Sequence, residues 1–240
     1  MAELPTIVFL HGFTNSGASW APVIDGLGQR YRCLAPDIRG HGSASSREPV
    51  TLDAVIDDVS RLAPDRFTLC GYSQGGRLAL HIALALAGRI TRLVLIGASP
   101  GLADPAERDA RRAADERLAA ALEQMTIEQF VERWAQTPVL AGVSTEIAAR
   151  ARTDRLRSEP AGLARALRGL GTGALPSLWK RLGELKLPVT LLAGERDAKF
   201  SGIAREMAPL IPNAQVEIVP GSGHAVHLER PDAVIAVLAG

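Results

Sequence analysis

Short apolar runs alternate along the chain with segments whose apolar residues recur at helical spacing. Thr6–Leu10, Tyr31–Ala35, Arg66–Cys70, Thr91–Ile96, Val189–Leu192 and Gln215–Val219 are brief, largely apolar and bounded by Gly, Pro or Asp. That is the pattern of strands buried on both faces. Between them, Ala18–Leu27, Leu52–Leu62, Gly75–Ala87, Ile203–Ile211 and Asp232–Leu238 read as helices. In the second of these, Leu52, Val55, Ile56, Val59 and Leu62 fall on one face. Strand–helix alternation with continuous apolar strands predicts an α/β fold, a mostly parallel sheet covered by helices on both faces.

The alternation stops between Gly101 and Leu187. Ala106–Met125, Ile127–Gln136, Ser144–Ser158 and Ala161–Leu167 are helical in composition, with no strand between them. A helical block spliced between two strands predicts a cap over the strand ends. The expected organisation is a core of residues 1–100 and 188–240 and a cap of residues 101–187. The run Gly169-Leu170-Gly171-Thr172-Gly173 lacks the Gly-Lys-Ser/Thr ending and the preceding strand of a phosphate loop, and reads as a cap hinge.

Charge removes several classes of function. With 27 Lys+Arg against 26 Asp+Glu the chain has no net field to draw in nucleic acid or an anionic membrane, and neither is expected as a partner. No basic region precedes Ile7–Leu10, and the longest small-apolar stretch, Leu78–Ala87, is interrupted by His81 and too short for a bilayer. A soluble, cytoplasmic protein is expected. Cys33 and Cys70 each close an apolar run and read as buried strand ends in a reducing compartment. Lys180, Lys186 and Lys199 are the only lysines, so 27 − 3 = 24 basic residues are arginine, the side chain suited to bidentate grip on carboxylates.

The strongest chemical signal is Gly71-Tyr72-Ser73-Gln74-Gly75, between a strand and a helix. This context makes a G-x-S-x-G run a nucleophile elbow, with Ser73 on a strained turn and its Oγ exposed above the sheet. An activated serine needs a base and an orienter, here expected in the chain order Ser, acid, His. Asp197 follows the fifth strand, with Glu195 as a rival nearer the strand, and His224 lies in a glycine-rich loop after the sixth. His11 precedes Gly12-Phe13, where the backbone can supply an oxyanion N–H from Phe13, paired with that of Gln74. His41 reads as a loop-fixing hydrogen bonder and His81 as structural. His227, three residues past His224, has no accompanying zinc motif, so no metal is expected. Arg77, one helical turn after Ser73, is placed at the pocket mouth; Arg111 and Arg155 lie on separate cap helices, with Trp134 between them in sequence.

Several segments together carry a resemblance. They are Gly71–Arg77, Ala98–Leu102, Glu107-Arg108 through Arg111 to Asp115, Phe130 through Trp134 to Pro138, Leu167–Gly173 with Pro176–Trp179, Gly194–Phe200, and Gly223–Glu229. Over nearly the whole chain these segments resemble the 2-succinyl-6-hydroxy-2,4-cyclohexadiene-1-carboxylate synthases of the menaquinone pathway, in the α/β-hydrolase superfamily. The elbow, acid and histidine are shared with many hydrolases, whereas the tryptophan segment and the Gly-Thr-Gly/Pro-Ser-Leu-Trp run are not general hydrolase features.

The resemblance implies an α/β-hydrolase fold and a cofactor-free reaction on a small polycarboxylate. In it, a serine made basic by the histidine–aspartate pair removes a ring proton from 2-succinyl-5-enolpyruvyl-6-hydroxy-3-cyclohexene-1-carboxylate, and pyruvate leaves. It also implies that Arg77, Arg111 and Arg155 bind the anionic groups and that Tyr72 and Trp134 line the pocket. Lys199 would add positive charge beside the acid. One departure stands out: Asp37-Ile38-Arg39-Gly40-His41-Gly42 carries Ile-Arg where the family usually has Leu-Pro, the commoner hydrolase version. The alternative function is a carboxylesterase that hydrolyses short-chain esters through an acyl-enzyme on the same triad.

Overall fold

Six parallel strands form one sheet, in a computed structural model that describes residues 4–137 and 142–240. They are β1 (Thr6–Leu10), β2 (Arg32–Leu34), β3 (Phe67–Tyr72), β4 (Ile90–Ile96), β5 (Val189–Gly194) and β6 (Ala214–Val219), ordered β2-β1-β3-β4-β5-β6. The two-residue period of a strand explains the unbroken apolar runs. Val8, Leu10, Leu69, Leu93, Leu95 and Leu191 face α2 (Leu52–Leu62), α3 (Gln74–Ala85) and α8 (Ala198–Met207). The alternate residues Ile7, Phe9, Cys70, Val94, Ile96 and Leu192 face α1 (Ala21–Leu27) and the C-terminal helix Pro231–Ala239.

Register brings the chemistry to one rim. Leu10 pairs with Gly71, Gly71 with Leu95 and Leu95 with Leu191, so the carboxyl ends of the central strands lie side by side. The strand order reverses between β1 and β3, and the crevice above such a reversal is where open α/β sheets bind ligands.

Four helices occupy the connection from β4 to β5: α4 (Pro105–Leu122), α5 (Ile127–Ala135), α6 (Thr145–Arg155) and α7 (Pro160–Leu170). Leu122, Phe130, Leu163 and Leu167 form a small core of their own, while Ala166 and Leu170 join the core of the sheet. Pro138, at the end of the tryptophan segment, lies outside the described residues.

The structure departs from the sequence reading at four places. The helix expected from Ile203 begins at Ala198, because Asp197 accepts the Phe200 N–H at 3.2 Å and caps it. The helix expected from Ala18 opens as a 3-10 turn, Gly17–Trp20, capped by Ser16, and continues as α1 with Pro22 in its first turn. Neither cysteine ends a strand: half-buried Cys33 is inside β2, and β3 runs past Cys70 to Tyr72, with the Ser73 N–H still donating to Ile96 O at 2.8 Å. Finally, Gly169–Gly173 is no open hinge. A Cβ on Gly169 would stand 1.8 Å from Val50 O, and one on Gly173 would stand 2.4 Å from Arg112 N. Glycine is required there because backbones pack against each other.

Candidate active site

Ser73 occupies the turn between β3 and α3 at φ +52° and ψ −110°, a left-handed backbone for a residue with a Cβ. The tightness of that turn explains its glycines. A Cβ on Gly71 would lie 2.5 Å from Gly75 O, and one on Gly75 would lie 2.2 Å from Leu10 O. The geometry lifts Ser73 Oγ above the sheet and sets it at the N-terminus of α3, where free N–H groups and the helix dipole favour negative charge.

His224 Nε2 lies 3.1 Å from Ser73 Oγ, and His224 Nδ1 lies 2.6 Å from Asp197 Oδ2. Asp197, rather than Glu195, meets the imidazole; the Glu195 carboxylate accepts the Gly221 N–H at 2.9 Å and ties the acid loop to the histidine loop. An ionised Asp197 accepts Nδ1–H, which leaves the Nε2 lone pair for the serine proton. Phe200 and Tyr72 flank the ring, with centroids 4.6 and 5.2 Å away.

Across from the serine, Gly12–Asn15 forms a turn closed by the Asn15 N–H on Gly12 O at 3.1 Å, with Thr14 at φ +72°. Among the described residues no group accepts the Phe13 N–H, and Gln74 opens α3 with an N–H that lies outside the helical ladder. The Gln74 side chain turns away and donates to Leu170 O at 3.4 Å. Buried His11 braces the turn: Nε2 accepts the Ile38 N–H at 2.9 Å, so Nδ1 carries the proton and donates to Gly12 O at 2.9 Å. Burial holds the His11 ring below its ordinary pKa, consistent with this neutral form. His41 stands edge-on to His11 and Phe13, and one ring nitrogen lies 3.3 Å from Arg39 O.

Arg77 is not at a pocket mouth. It is 8% exposed, its Nε has no hydrogen-bond partner, and no carboxylate among the described residues lies within ion-pairing distance. Burial, with repulsion from Arg111, pulls its pKa down to about 10. Arg111 pairs with Asp115 at 2.7 Å and is half exposed. Arg155 is buried beside Tyr72 and donates from Nε to Thr14 Oγ1 at 3.2 Å, and burial lowers its pKa. Trp134 packs on Phe13 and Phe130, with centroids 5.3 and 5.6 Å away. Lys199 is exposed over the Phe200 ring. The arginines thus fall into two groups, Arg77 with Arg111 and Arg155 with Tyr72. Among the described residues, a cavity of about 600 Å³ between α5 and α6 reaches Arg155 and Ala225.

Residues that sequence reasoning passed over complete the site. Asp154 joins α6 to the turn after β1, and Glu229 accepts the Gly223 N–H at 2.9 Å while pairing with Arg196 at 2.6 Å. Glu229 could have been noticed from its place in the Gly223–Glu229 segment; nothing local marks Asp154. Among the described residues no three His, Cys, Asp or Glu side chains converge on a common point, and no helix is long and apolar enough to cross a membrane.

A serine on a left-handed strand–helix turn, relayed through histidine to an acid at the carboxyl rim of a parallel sheet, defines an α/β-hydrolase-type site. The chain belongs to the alpha/beta hydrolase family, whose model matches residues 7–237. It is 37% identical to a Bacillus subtilis protein that carries the provisional name 2-succinyl-6-hydroxy-2,4-cyclohexadiene-1-carboxylate synthase, over 94% of this chain and 85% of that protein. To the Salmonella typhimurium synthase of the same name it is 32% identical, over 98% of this chain and 92% of that one. The solved structure of MenH from S. aureus superposes with a TM-score of 0.94 at 35% identity, covering 100% of this chain and 94% of the other.

Proposed function

We propose that the chain is a 2-succinyl-6-hydroxy-2,4-cyclohexadiene-1-carboxylate synthase, a cofactor-independent carbon–oxygen lyase of menaquinone biosynthesis that works in the cytoplasm. The observation that carries this reading beyond the fold is Arg77. A guanidinium buried four residues from the serine, without a carboxylate of its own, is costly unless a ligand supplies the anion. A neutral ester would leave that cost unanswered, whereas a succinyl-bearing polycarboxylate answers it, with Arg155 assigned to a second carboxylate and Arg111, shared with Asp115, to a third.

In this reading His224 Nε2 draws the proton from Ser73 Oγ while the oxygen removes the ring proton beside the succinyl ketone. The electron pair moves into the ring, the bond to the enolpyruvyl oxygen breaks, and the leaving enolate takes up the proton held by His224 and departs as pyruvate, with Ser73 reprotonated by the ring proton. Asp197 holds the imidazole in the accepting tautomer and stabilises it once it is charged. The Phe13 and Gln74 N–H groups meet the enolate-like charge on the ketone oxygen. Tyr72 and Trp134 wall the ring, and two separate arginine groups, Arg77 with Arg111 and Arg155 with Tyr72, suit a substrate with more than one carboxylate.

The test supplies 2-succinyl-5-enolpyruvyl-6-hydroxy-3-cyclohexene-1-carboxylate and follows pyruvate beside a panel of short-chain nitrophenyl esters. Stoichiometric pyruvate release is expected. Rapid ester turnover without pyruvate overturns the lyase reading in favour of a carboxylesterase.

A further inference from the structure

We propose that Asp154, on the cap, is a positioning residue that holds the oxyanion turn in its working shape, so that cap and oxyanion hole act as one part. Its carboxylate takes three donors from two consecutive residues: Asn15 Nδ2 at 3.2 Å, the Ser16 N–H at 3.0 Å, and the Ser16 hydroxyl. The group is 8% exposed, and among the described residues no arginine, lysine or histidine lies within ion-pairing distance. Neutral donors alone therefore satisfy this buried carboxylate, which makes each of them difficult to lose.

The position of those donors gives the carboxylate its role. Asn15 and Ser16 directly follow Phe13-Thr14, the central residues of the turn whose first N–H meets no acceptor. Thr14 sits at φ +72°, a conformation a β-branched residue keeps only under external constraint. His11 braces the turn from its N-terminal side, and Asp154 clamps it from the C-terminal side. The next residue on the same helix, Arg155, reaches Thr14 Oγ1 at 3.2 Å. Two successive residues of α6 thus hold both the strained turn and the side chain assigned to a substrate carboxylate. Release of Asp154 frees Thr14 to relax and carries the Phe13 N–H away from the oxygen it stabilises.

The proposal rests on the oxyanion role given to Phe13, so the test includes a readout that needs no turnover. In the full chain, amide hydrogen exchange of residues 13–16 is expected to quicken about tenfold in Asp154→Ala, with the amides of α3 unchanged. Unchanged protection at 13–16 overturns the clamp, whichever reaction the enzyme catalyses. On the enolpyruvyl substrate, well below the variant's own Tm, kcat is expected to fall about 100-fold with KM within threefold, the mark of a weakened oxyanion donor. Asp154→Asn, which keeps an oxygen for the Ser16 N–H, is expected to recover to within about tenfold of the parent. A raised KM at unchanged kcat would make Asp154 a mere cap anchor and overturn the proposal. Should Asp154→Ala not fold, Asn15→Ala and Ser16→Ala each remove one donor; kcat losses of about 3- to 10-fold support the clamp, and parental kcat in both overturns it. If the parent releases no pyruvate, the lyase reading fails, while the exchange experiment still decides the clamp.

Discussion

The two carboxylate oxygens of Asp197 serve different elements: Oδ2 lies 2.6 Å from His224 Nδ1, and Oδ1 accepts the Phe200 N–H that opens α8 at 3.2 Å. The acid is therefore fixed by the helix it caps before it orients the imidazole. Asp197→Asn can keep the cap through its carbonyl oxygen but cannot hold an imidazolium. Steady-state assays of pyruvate release are expected to show a kcat loss of about 10³-fold or more with little change in Tm. Asp197→Ala should lose the same activity and about 1 kcal/mol of stability besides, from the missing cap. Equal melting temperatures in the two variants would contradict the division of labour.

The positive φ of Ser73 separates activity from stability at one position. Ser73→Gly removes both the reactive hydroxyl and the cost of holding a Cβ in left-handed backbone. Turnover is expected to vanish while the unfolding temperature rises about 2–4 °C, the equivalent of roughly 1 kcal/mol in a chain of this size. Ser73→Ala should be equally inactive without that gain. Calorimetry on the pair, with the parent as reference, tests it.

The buried, unpaired guanidinium of Arg77, proposed above to meet a substrate carboxylate, sets the same trade-off. Arg77→Met fills similar volume without a buried charge, so the unliganded protein is expected to melt about 2–4 °C higher. Binding of the polycarboxylate should weaken about 30- to 100-fold, the worth of one or two charge-assisted hydrogen bonds, while hydrolysis of any neutral ester changes less than threefold. Equal losses on both substrates would make the residue structural.

His11, His41, His81 and His227 are buried, and burial favours the neutral form of each. Burial holds His41 and His227 at about 3 and His81 at about 4, and keeps His11 below its ordinary value. In the unfolded chain each takes a proton near pH 6.5. The unfolded state therefore binds more protons, and stability falls as pH drops below about 6.5 rather than rising. The three rings held at about 3 to 4 bring the slope to about 4 kcal/mol per pH unit between pH 6 and 5, a large fraction of ordinary domain stability, and His11 acts in the same direction. Denaturant titrations across that interval measure it; a flat profile would mean that these rings protonate in place. Replacing His81 with Gln should reduce the slope by about one proton.

What the sequence made legible followed the range of each interaction. All six strands are where their apolar runs lie; in the central strands burial on both sheet faces leaves a local signature in residues such as Val8 and Phe9, while the edge strands β2 and β6 are only partly buried. The serine, acid and histidine stand out because each motif is a strand end followed by a characteristic turn. Helix boundaries were less accessible: α8 begins at Ala198 because Asp197 both caps it and faces His224, and the motif reads as a loop. The glycines of residues 169–173 pack against Val50 and Arg112, partners that only the fold supplies. Asp154 is hidden for the same reason, since the donors it meets lie about 140 positions earlier. Arg77 stands out by its place one helical turn past Ser73, but its burial depends on α4, whose Arg111 and Asp115 lie beside it.

The placement of the helical insertion between β4 and β5 has a thermodynamic corollary. Closing β4 onto β5 across some ninety intervening residues, rather than ten, costs only about 2 kcal/mol of chain entropy, because closure grows with the logarithm of length. The sheet is thus nearly indifferent to how much sequence is threaded through that junction. Grafting a foreign set of helices there would be limited by the contacts through which the inserted segment meets the sheet: Ala166 and Leu170 in its core, the Asp154 carboxylate on the turn after β1, and Gly169 against Val50. Substrate preference can change by exchange of that segment while the proton relay beneath it stays as it is.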